Sequence, residues 1–515
     1  MKLPEAFETQ FRSLLDDAEA DAFFASFDAP RTRGLRVNTL KISVQDYLAR
    51  VASTADTGDA PASVADTGDV PASAAGTGSA TDISRGSGLT PVAWTRDGFS
   101  HDGSGAPGRH PDYHAGLYYL QDPSAMLPAA LLSPQPGEAV LDCCAAPGGK
   151  TVQLAAMMQN RGFLLANDIS PKRVKPLRRN LEGLGVACAA VTNEDPARLA
   201  AAFPAFFDAL LLDVPCSGEG MFRKDETAVR SWKRHDARAL QTIQRTLLQQ
   251  AHAMLRPGGR VVYATCTYNP DENERQIAWA LEQYPDLSLV PVPGYPGGLA
   301  PGRADWVPNH PELAGAARVW PHLANGEGQF AALLQKDGAR ETDPPAPVPL
   351  HGATLGNGVP AAALEALRVF FVDTLTPDAT FLGLDTHPLA CLEAPHRLVL
   401  FGSALYWAGY GAACPPQRLE GLRVEMPGLY LGEWQSGRYT PSAAFVHALR
   451  HDAVRRRLTL DVRDADVSRY LHGETLMHEG ERGWLAVAVD GYPLGWGKQE
   501  DGFIKNQYPK GWRML

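Results

Sequence analysis

From about residue 105 onwards, short apolar runs alternate with amphipathic stretches. The apolar runs predict buried strands, and the stretches between them predict helices. The strands are predicted at 139–142, 162–170, 186–195 and 207–220, and a long helix at 237–255 leads into a fifth strand. This alternation predicts an α/β fold with a parallel, doubly wound sheet, whose ligands bind at the carboxyl ends of the strands.

The start of the chain follows a different pattern. Apolar residues at helical spacing predict one amphipathic helix, and they are Phe7, Phe11, Leu14, Leu15 and Ala18. Residues 34–41 predict a short strand. Its Arg36 and Lys41 are expected to face either a phosphate backbone or solvent at a sheet edge.

Residues 51–80 contain a repeat. ADTGDAPASV (55–64) recurs as ADTGDVPASA (65–74) and, degraded, as AGTGSA (75–80). These small and polar residues bury too little surface to fold, so we expect a disordered insertion in a surface loop. All its charged residues are acidic.

Composition limits the class of protein. A chain of 515 residues that is 44% hydrophobic and 21% charged predicts several domains of ordinary globular type. There is no apolar run of membrane-spanning length and no signal-peptide pattern at the N-terminus. The seven cysteines show no zinc or disulfide spacing, so we expect a cytoplasmic protein without a metal site. A net charge of −10 still permits a local basic face for nucleic acid.

A glycine turn follows the first predicted strand, in the stretch LDCCAAPGGKT (141–151). Gly148 and Gly149 allow the backbone to approach a ligand closely, and the N–H groups at the start of the next helix can hold a polar group. A turn of this kind alone can also merely connect two elements.

Polar residues follow every predicted strand end, and they are Asp142, Asp168, Asp195, Asp213, Cys216 and Cys266. An acidic residue after the second strand suits a ribose diol, which favours Asp168. Asp195 could accept a hydrogen bond from an adenine amino group. The alternative for both is to cap the helices that begin near Pro171 and Pro196.

Two loops at the same end of the sheet each carry a cysteine. DVPCSGEGMFRKD (213–225) places Asp213 three residues before Cys216, and TCTYNPDENE (265–274) supplies Cys266. A single cysteine near a sheet is usually a small buried hydrophobe. Two that converge on one crevice favour covalent catalysis instead.

Together, CAAPGGK, Asp168, DVPCSGEG and TCTYNPDENE resemble the RNA cytosine-5 methyltransferases of the NOL1/NOP2/Sun type. Three further stretches resemble the bacterial ribosomal RNA small-subunit methyltransferase F group: GEGMFRKD, RVWPHLANGEGQFAALLQK (318–336) and the ending GWGKQEDGFIKNQYPKGWR. The resemblance covers nearly the whole chain outside 51–80, and it is weaker across 345–460.

The resemblance implies a Rossmann-like core that uses S-adenosylmethionine, flanked by RNA-binding domains. The implied division is an N-terminal RNA-binding domain at 1–104, the methyltransferase core at 105–338, a linker at 339–360, a small α+β domain at 361–424 and a PUA-like RNA-binding domain at 425–515. From the sequence alone, the C-terminal aromatic residues are expected mainly in the core of that last domain, and Arg455, Arg456 and Arg457 either contact phosphate or form a solvated face.

The resemblance also implies how the cofactor is held. Cys144, Ala145, Ala146, Pro147, Gly148, Gly149 and Lys150 form the loop around its methionine part. Asp168 holds the ribose, Asp195 lies by the adenine, and Asp213 sits where cofactor and base meet. Arg173 either contacts the ribose or is one charge of a solvated helix.

Carbon 5 of cytosine is a poor nucleophile, and addition of a thiolate at carbon 6 activates it for attack on a methyl sulfonium. The spacing alone does not determine which cysteine adds. The resemblance implies that Cys266 is the nucleophile and that Cys216 releases the product, while Asp213 hydrogen-bonds the ring nitrogen.

The implied partner is 16S ribosomal RNA or the 30S subunit, bound by a monomer. Two alternatives stay open: the same reaction on transfer RNA, and an RNA-binding assembly factor without turnover. The presence of both cysteines speaks against the second, because binding needs neither thiol.

Overall fold

A computed structural model describes residues 3–55, 88–103, 106–224, 226–233, 237–339, 358–410 and 413–514. Most of the insertion expected at 51–80 and most of the linker expected at 339–360 lie outside these residues. Residues 51–55 are described, and they form the end of a helix rather than part of an irregular loop.

The N-terminal region consists of a helix pair followed by a small sheet. Its elements are α1 (Glu5–Leu14), α2 (Asp17–Ala25), β1 (Arg33–Val37), α3 (Val44–Ala55), β2 (Leu89–Pro91), β3 (Gly98–His101), α4 (Pro111–His114) and β4 (Tyr118–Leu120). The sequence predicted one helix at the start and the structure has two, because the Asp16 carboxylate accepts from the Glu19 N–H and so begins α2. The strands pair in the order β2-β3-β1-β4.

The prediction for Arg36 and Lys41 was wrong. Arg36 is fully buried and its guanidinium donates to Gln121 and to the Gly149 carbonyl, instead of facing phosphate or solvent. The Lys41 ammonium donates to the Ala115 and Gly183 carbonyls. Both cations therefore join the N-terminal region to the rest of the molecule.

The central region alternates strands and helices as predicted. Its elements are α5 (Pro123–Leu132), β5 (Ala139–Asp142), α6 (Gly149–Met157), β6 (Phe163–Asn167), α7 (Pro171–Gly183), β7 (Ala189–Thr192), α8 (Pro196–Ala202), β8 (Phe207–Asp213), α9 (Glu226–Trp232), α10 (Ala237–Met254), β9 (Leu255–Thr265), α11 (Glu274–Gln283), β10 (Leu287–Val290), β11 (Ala300–Pro301), β12 (Ala317–Val319) and β13 (Gln329–Lys336).

One large sheet organises this region. Its strands follow the order β11-β12-β13-β9-β8-β5-β6-β7, and β10 also pairs with β13. The five strands from β9 to β7 are parallel, and their apolar residues are buried on both faces of the sheet. The strand order reverses between β5 and β8, so the crevice expected for a ligand lies at their carboxyl ends. This confirms the predicted doubly wound α/β fold.

The C-terminal region adds two smaller sheets. Its elements are α12 (Ala361–Thr374), β14 (Leu398–Phe401), β15 (Ala404–Trp407), β16 (Val424–Met426), β17 (Leu429–Gln435), β18 (Arg438–Pro441), α13 (Ala443–His447), β19 (Arg457–Leu460), α14 (Ala465–His472), β20 (Leu476–Met477), β21 (Gly483–Val489), β22 (Tyr492–Glu500) and β23 (Phe503–Asn506). The strands pair as β14-β15-β17-β18 and as β19-β21-β22-β23-β20. The first of these sheets continues past residue 424, so the boundary expected at 424/425 falls inside it.

Strand β16 leaves its own domain and pairs antiparallel with β7, so it extends the large sheet by one strand. Among the C-terminal aromatic residues, Tyr470, Trp496 and Tyr508 are buried, as expected of core residues. Arg456 pairs with Asp373 and Glu481, and Arg455 donates to the Leu375 carbonyl. In the described part of the chain, no helix has the length and apolar character needed to cross a membrane.

Candidate active site

The glycine turn predicted after the first strand connects β5 to α6. Gly148 has a φ of +111°, and a Cβ added there would lie 3.0 Å from the Leu177 side chain, so both backbone conformation and space favour glycine. The Asn180 amide of α7 donates to the Pro147 carbonyl at 2.7 Å. Arg173 of the same helix donates to the Ala146 carbonyl. Helix α7 therefore holds the turn from one side.

Asp168 lies where the turn meets the end of β6. Its carboxylate accepts from the Ala146 N–H at 3.3 Å and the Ser170 N–H at 2.9 Å, and it pairs with Arg173 at 3.2 Å. Ser170, not Asp168, is the residue that precedes the first turn of α7. The Asp168 side chain thus faces the crevice and is fixed there by the turn.

Asp195 caps a helix, which is one of the two roles that the sequence left open. Its carboxylate accepts from the Ala197 N–H at 2.8 Å and so caps α8, while the residue also lines the cavity described below.

Asp142 is buried beneath the turn. One carboxylate oxygen accepts from the Thr151 hydroxyl at 2.7 Å, and the other has no hydrogen-bond partner among the described residues. Burial raises the pKa of Asp142 to about 7. A buried acceptor without a partner is costly, which indicates that this position is built to meet a donor from a ligand.

The two loops bring their cysteines together. The sulfur atoms of Cys216 and Cys266 lie 3.4 Å apart. The contact between the two thiols lowers the pKa of Cys266 and raises the pKa of Cys216. The pair therefore favours a thiolate on Cys266 beside a protonated Cys216. Cys143 is buried in the core, while Cys144 is only partly buried.

Asp213, at the end of β8, lies beside this thiol pair. Its carboxylate accepts from the Lys150 ammonium at 2.7 Å. This ion pair links the glycine turn to the loop that carries Cys216. Lys150 is predicted to hold the cofactor, and Asp213 is predicted to lie where cofactor and base meet.

Two buried carboxylates fix the cysteine loops, and sequence reasoning missed both. Glu219 accepts from the Thr267 hydroxyl at 2.7 Å and the Tyr268 N–H at 3.0 Å. Glu272 accepts from the Ser217 N–H at 3.0 Å and the Gln244 amide at 2.9 Å. Each glutamate lies on one cysteine loop and bonds to the other. The available signal was an acidic residue inside each cysteine motif, and it did not reveal the partner.

These groups surround one cavity of about 480 Å³ at the carboxyl ends of the strands. Six of the predicted residues line it: Cys144, Asp168, Asp195, Asp213, Cys216 and Cys266. Ala145, Ala146, Pro147, Gly148, Gly149 and Lys150 are not in its lining, although Ala146 and Lys150 contact lining carboxylates. The exposed apolar side chains Ile169 and Ile243 border it. The described residues contain no cluster of metal-binding side chains.

The sheet order, the glycine turn and the acidic residues at the strand ends define a Rossmann-like methyltransferase of the S-adenosylmethionine-dependent class. The chain belongs to the family of ribosomal RNA small subunit methyltransferase F.

Family models match four segments of the chain. Residues 129–335 match "16S rRNA methyltransferase RsmB/F", 3–65 match the N-terminal domain of 16S rRNA methyltransferase RsmF, 384–449 match its first C-terminal domain, and 457–514 match its PUA domain.

Relatives cover nearly the whole chain. Ribosomal RNA small subunit methyltransferase F of Klebsiella pneumoniae is 34% identical over 98% of this chain and 96% of its own. The protein of that name from an Enterobacter species is 33% identical, over 98% and 95%. Among solved structures, the protein PH0851 is 26% identical with a TM-score of 0.52, over 65% of this chain and 66% of its own.

Proposed function

We propose that this protein transfers a methyl group from S-adenosylmethionine to carbon 5 of a cytosine in 16S ribosomal RNA, through a covalent bond between Cys266 and the base. The observation that carries the proposal is the thiol pair, with sulfur atoms 3.4 Å apart in a cavity that also holds Asp213. A methyltransferase that attacks a more nucleophilic atom needs neither thiol.

The residues around the turn fit S-adenosylmethionine, which when bound supplies a methyl group on a sulfonium. The unpartnered Asp142 oxygen and the turn Cys144–Lys150 suit the charged methionine part. Asp168 and Asp195 offer carboxylates to the ribose and the adenine, and Ile169 and Ile243 offer apolar cover.

The thiolate of Cys266 adds to carbon 6 of the cytosine, and the electrons of the carbon 5–carbon 6 double bond become available at carbon 5. Asp213 is assigned to hydrogen-bond the ring nitrogen, and the proton that this nitrogen takes up comes from the Lys150 ammonium through the Asp213 carboxyl, to which Lys150 donates. After methyl transfer the carbon-5 proton must leave, and the bond to Cys266 then breaks. In its thiolate form, Cys216 serves as, or together with, the base for that step.

The ribosomal substrate is supported by the names of the relatives and by the PUA domain match, and the family match along the C-terminal region argues against transfer RNA. The target cytosine must be single-stranded or leave its stack to reach the thiols, because both thiols line a cavity that a stacked base cannot enter.

The proposal is tested by transfer from labelled S-adenosylmethionine to purified 16S ribosomal RNA, 30S subunits and bulk transfer RNA, followed by digestion to nucleosides. We expect label in 5-methylcytidine from one ribosomal substrate. Label only in transfer RNA would contradict the substrate, and no label with cofactor still bound would favour an assembly factor.

The roles of the two cysteines are tested in the same assay. Cys266→Ala should abolish transfer without loss of cofactor binding, since it removes the nucleophile. Cys216→Ala should still methylate once but accumulate a covalent protein–RNA adduct, visible on a denaturing gel. Cys391→Ala, which removes a buried thiol outside the lining of the cavity, should behave like wild type. An adduct from Cys266→Ala instead would reverse the two roles.

A further inference from the structure

A second cavity of about 480 Å³ lies between the N-terminal sheet and the core, and nothing assigned above uses it. It is open to solvent, and its residues come from β1, from the loop between β3 and α4, from the end of β4, and from the loop after Cys216. The lining includes Thr32, Arg33, His101, Pro107, Arg109, Leu120 and Lys224.

The charge of this cavity differs from that of the whole chain. Three cations line it, Arg33, Arg109 and Lys224, against one carboxylate, Asp122. Asp122 already pairs with Lys224 at 2.9 Å. The exposed Arg33 and Arg109 therefore leave a cationic pocket on a protein whose net charge is −10.

Arg33 is held in place at the wall of the cavity. Its guanidinium donates to the Gly103 carbonyl at 3.3 Å. A Cβ added to Gly103 would lie 2.2 Å from the same guanidinium, and Gly103 has a φ of +89°. Because Gly103 has no side chain, the Arg33 guanidinium can occupy this space.

The neighbouring chain is fixed by buried contacts. The Thr32 N–H donates to the Glu327 carboxylate at 3.1 Å, and Glu327 also pairs with Arg223 at 3.3 Å. The Arg223 and Glu327 side chains are almost completely buried. The chain at the start of β1, on one side of the cavity, is therefore held by buried contacts to the core.

A short stretch of chain connects the lining of this cavity to the loop of Cys266. The Gly220 N–H donates to the Cys266 carbonyl at 2.8 Å, and Lys224 follows only four residues later. Four residues span at most about 14 Å, so Lys224 lies within reach of an RNA strand bound at Cys266. In addition, Arg36 bridges Gln121, which lines the cavity, and the Gly149 carbonyl of the glycine turn.

We propose that this cavity, which we call the Arg33–Arg109 pocket, binds one nucleotide of the substrate RNA outside the reaction cavity. The phosphate lies against Arg33 and Arg109, and the sugar and base lie against the apolar wall of Pro107 and Leu120. This combination of cations around an apolar floor is how proteins hold a single-stranded nucleotide. The proposal rests on the proposed function, since RNA supplies the phosphate.

The test compares Arg33→Gln and Arg109→Gln with Arg368→Gln, which removes the same charge from an exposed arginine on α12. Each pocket variant should raise the KM for 16S ribosomal RNA about tenfold while kcat and the Kd of S-adenosylmethionine stay unchanged. The slope of log Kd against log salt should fall by about 1 in filter binding with 16S RNA. Gly103→Ala should act in the same direction, because it displaces the Arg33 guanidinium.

Two outcomes separate this proposal from the proposed function. If wild type methylates 16S RNA and both pocket variants match Arg368→Gln in KM and salt slope, the pocket is wrong and the function stands. If wild type transfers no methyl group but the pocket variants bind 16S RNA more weakly than Arg368→Gln, the function is wrong and the pocket stands.

Discussion

At the scale of single residues, the 3.4 Å contact between Cys216 and Cys266 couples the ionisation of the two thiols. A hydrogen bond to the charged form of a group lowers its pKa, so the donor stays protonated while the acceptor ionises. Either sulfur can donate across this contact; the lowered pKa of Cys266 and the raised pKa of Cys216 correspond to Cys216 as the donor. The thiolate is the nucleophilic form of cysteine, which agrees with Cys266 as the attacking residue.

We predict that Cys216→Ala raises the pKa of Cys266, because it removes the S–H donor. The rate of alkylation of Cys266 by iodoacetamide, followed by mass spectrometry across pH, should have its midpoint at higher pH than in wild type. Cys216→Ser keeps a donor and should lie nearer to wild type. An unchanged midpoint in Cys216→Ala would show that the contact does not set the ionisation.

The sequence predicted the residues that carry chemistry because they stand in contiguous motifs. It did not predict what holds them. Glu219 and Thr267 are 48 positions apart, and Gln244 reaches Glu272 from the middle of a helix. Such partners are defined by the folded loops, and a single sequence contains no pattern that pairs them.

At the scale of elements, helix α7 holds the glycine turn between β5 and α6 in place. The sequence left Arg173 as either a ribose contact or one charge of a solvated helix, and in the structure Arg173 donates to the Ala146 carbonyl while Asn180 donates to the Pro147 carbonyl. These contacts fix the carbonyl groups of the turn from the side of α7.

We predict that Asn180→Ala weakens binding of S-adenosylmethionine about fivefold, which corresponds to the loss of one hydrogen bond of about 1 kcal/mol. Isothermal titration calorimetry measures the effect directly. Lys175→Ala, at an exposed position on the same helix, is the matched control. Equal affinity for both variants would mean that the turn keeps its shape without Asn180.

The parallel strands were predictable because both faces of each are buried, which gives continuous apolar runs such as FDALLLD in β8. Strands at the edges of the sheet were not predictable. Strand β16 has only three residues, and its partner β7 lies more than 200 positions earlier, so local pattern carries no sign of the pairing.

At the scale of the whole molecule, Lys41 joins three regions. Its ammonium, from the N-terminal region, contacts the Gly183 carbonyl of the core and the His447 imidazole of the C-terminal region, the latter at 3.0 Å. Burial lowers the pKa of Lys41 from 10.5 to about 7. Burial also lowers the pKa of His447, so its neutral ring can accept the hydrogen bond.

A lowered lysine pKa means that the folded protein binds fewer protons than the unfolded chain between about pH 7 and 10.5. Stability rises with pH wherever the unfolded state binds more protons. The Tm of wild type minus that of Lys41→Met should therefore increase from pH 7 to 10. The difference in Tm between wild type and Lys175→Met should not change with pH over this range. A flat difference for Lys41→Met would show that Lys41 is charged in the folded protein throughout.

The large sheet also ends in a strand that its own domain does not supply. Strand β16 covers β7, and the Asn193 N–H and the Glu194 carboxylate hold the neighbouring Arg423 main chain at 2.9 and 3.0 Å. A sheet edge left bare invites pairing with other molecules and aggregation. The C-terminal region thus covers the edge of the large sheet and protects it from aggregation. If the core were produced without the C-terminal region, β7 would be exposed and could pair with strands of other molecules.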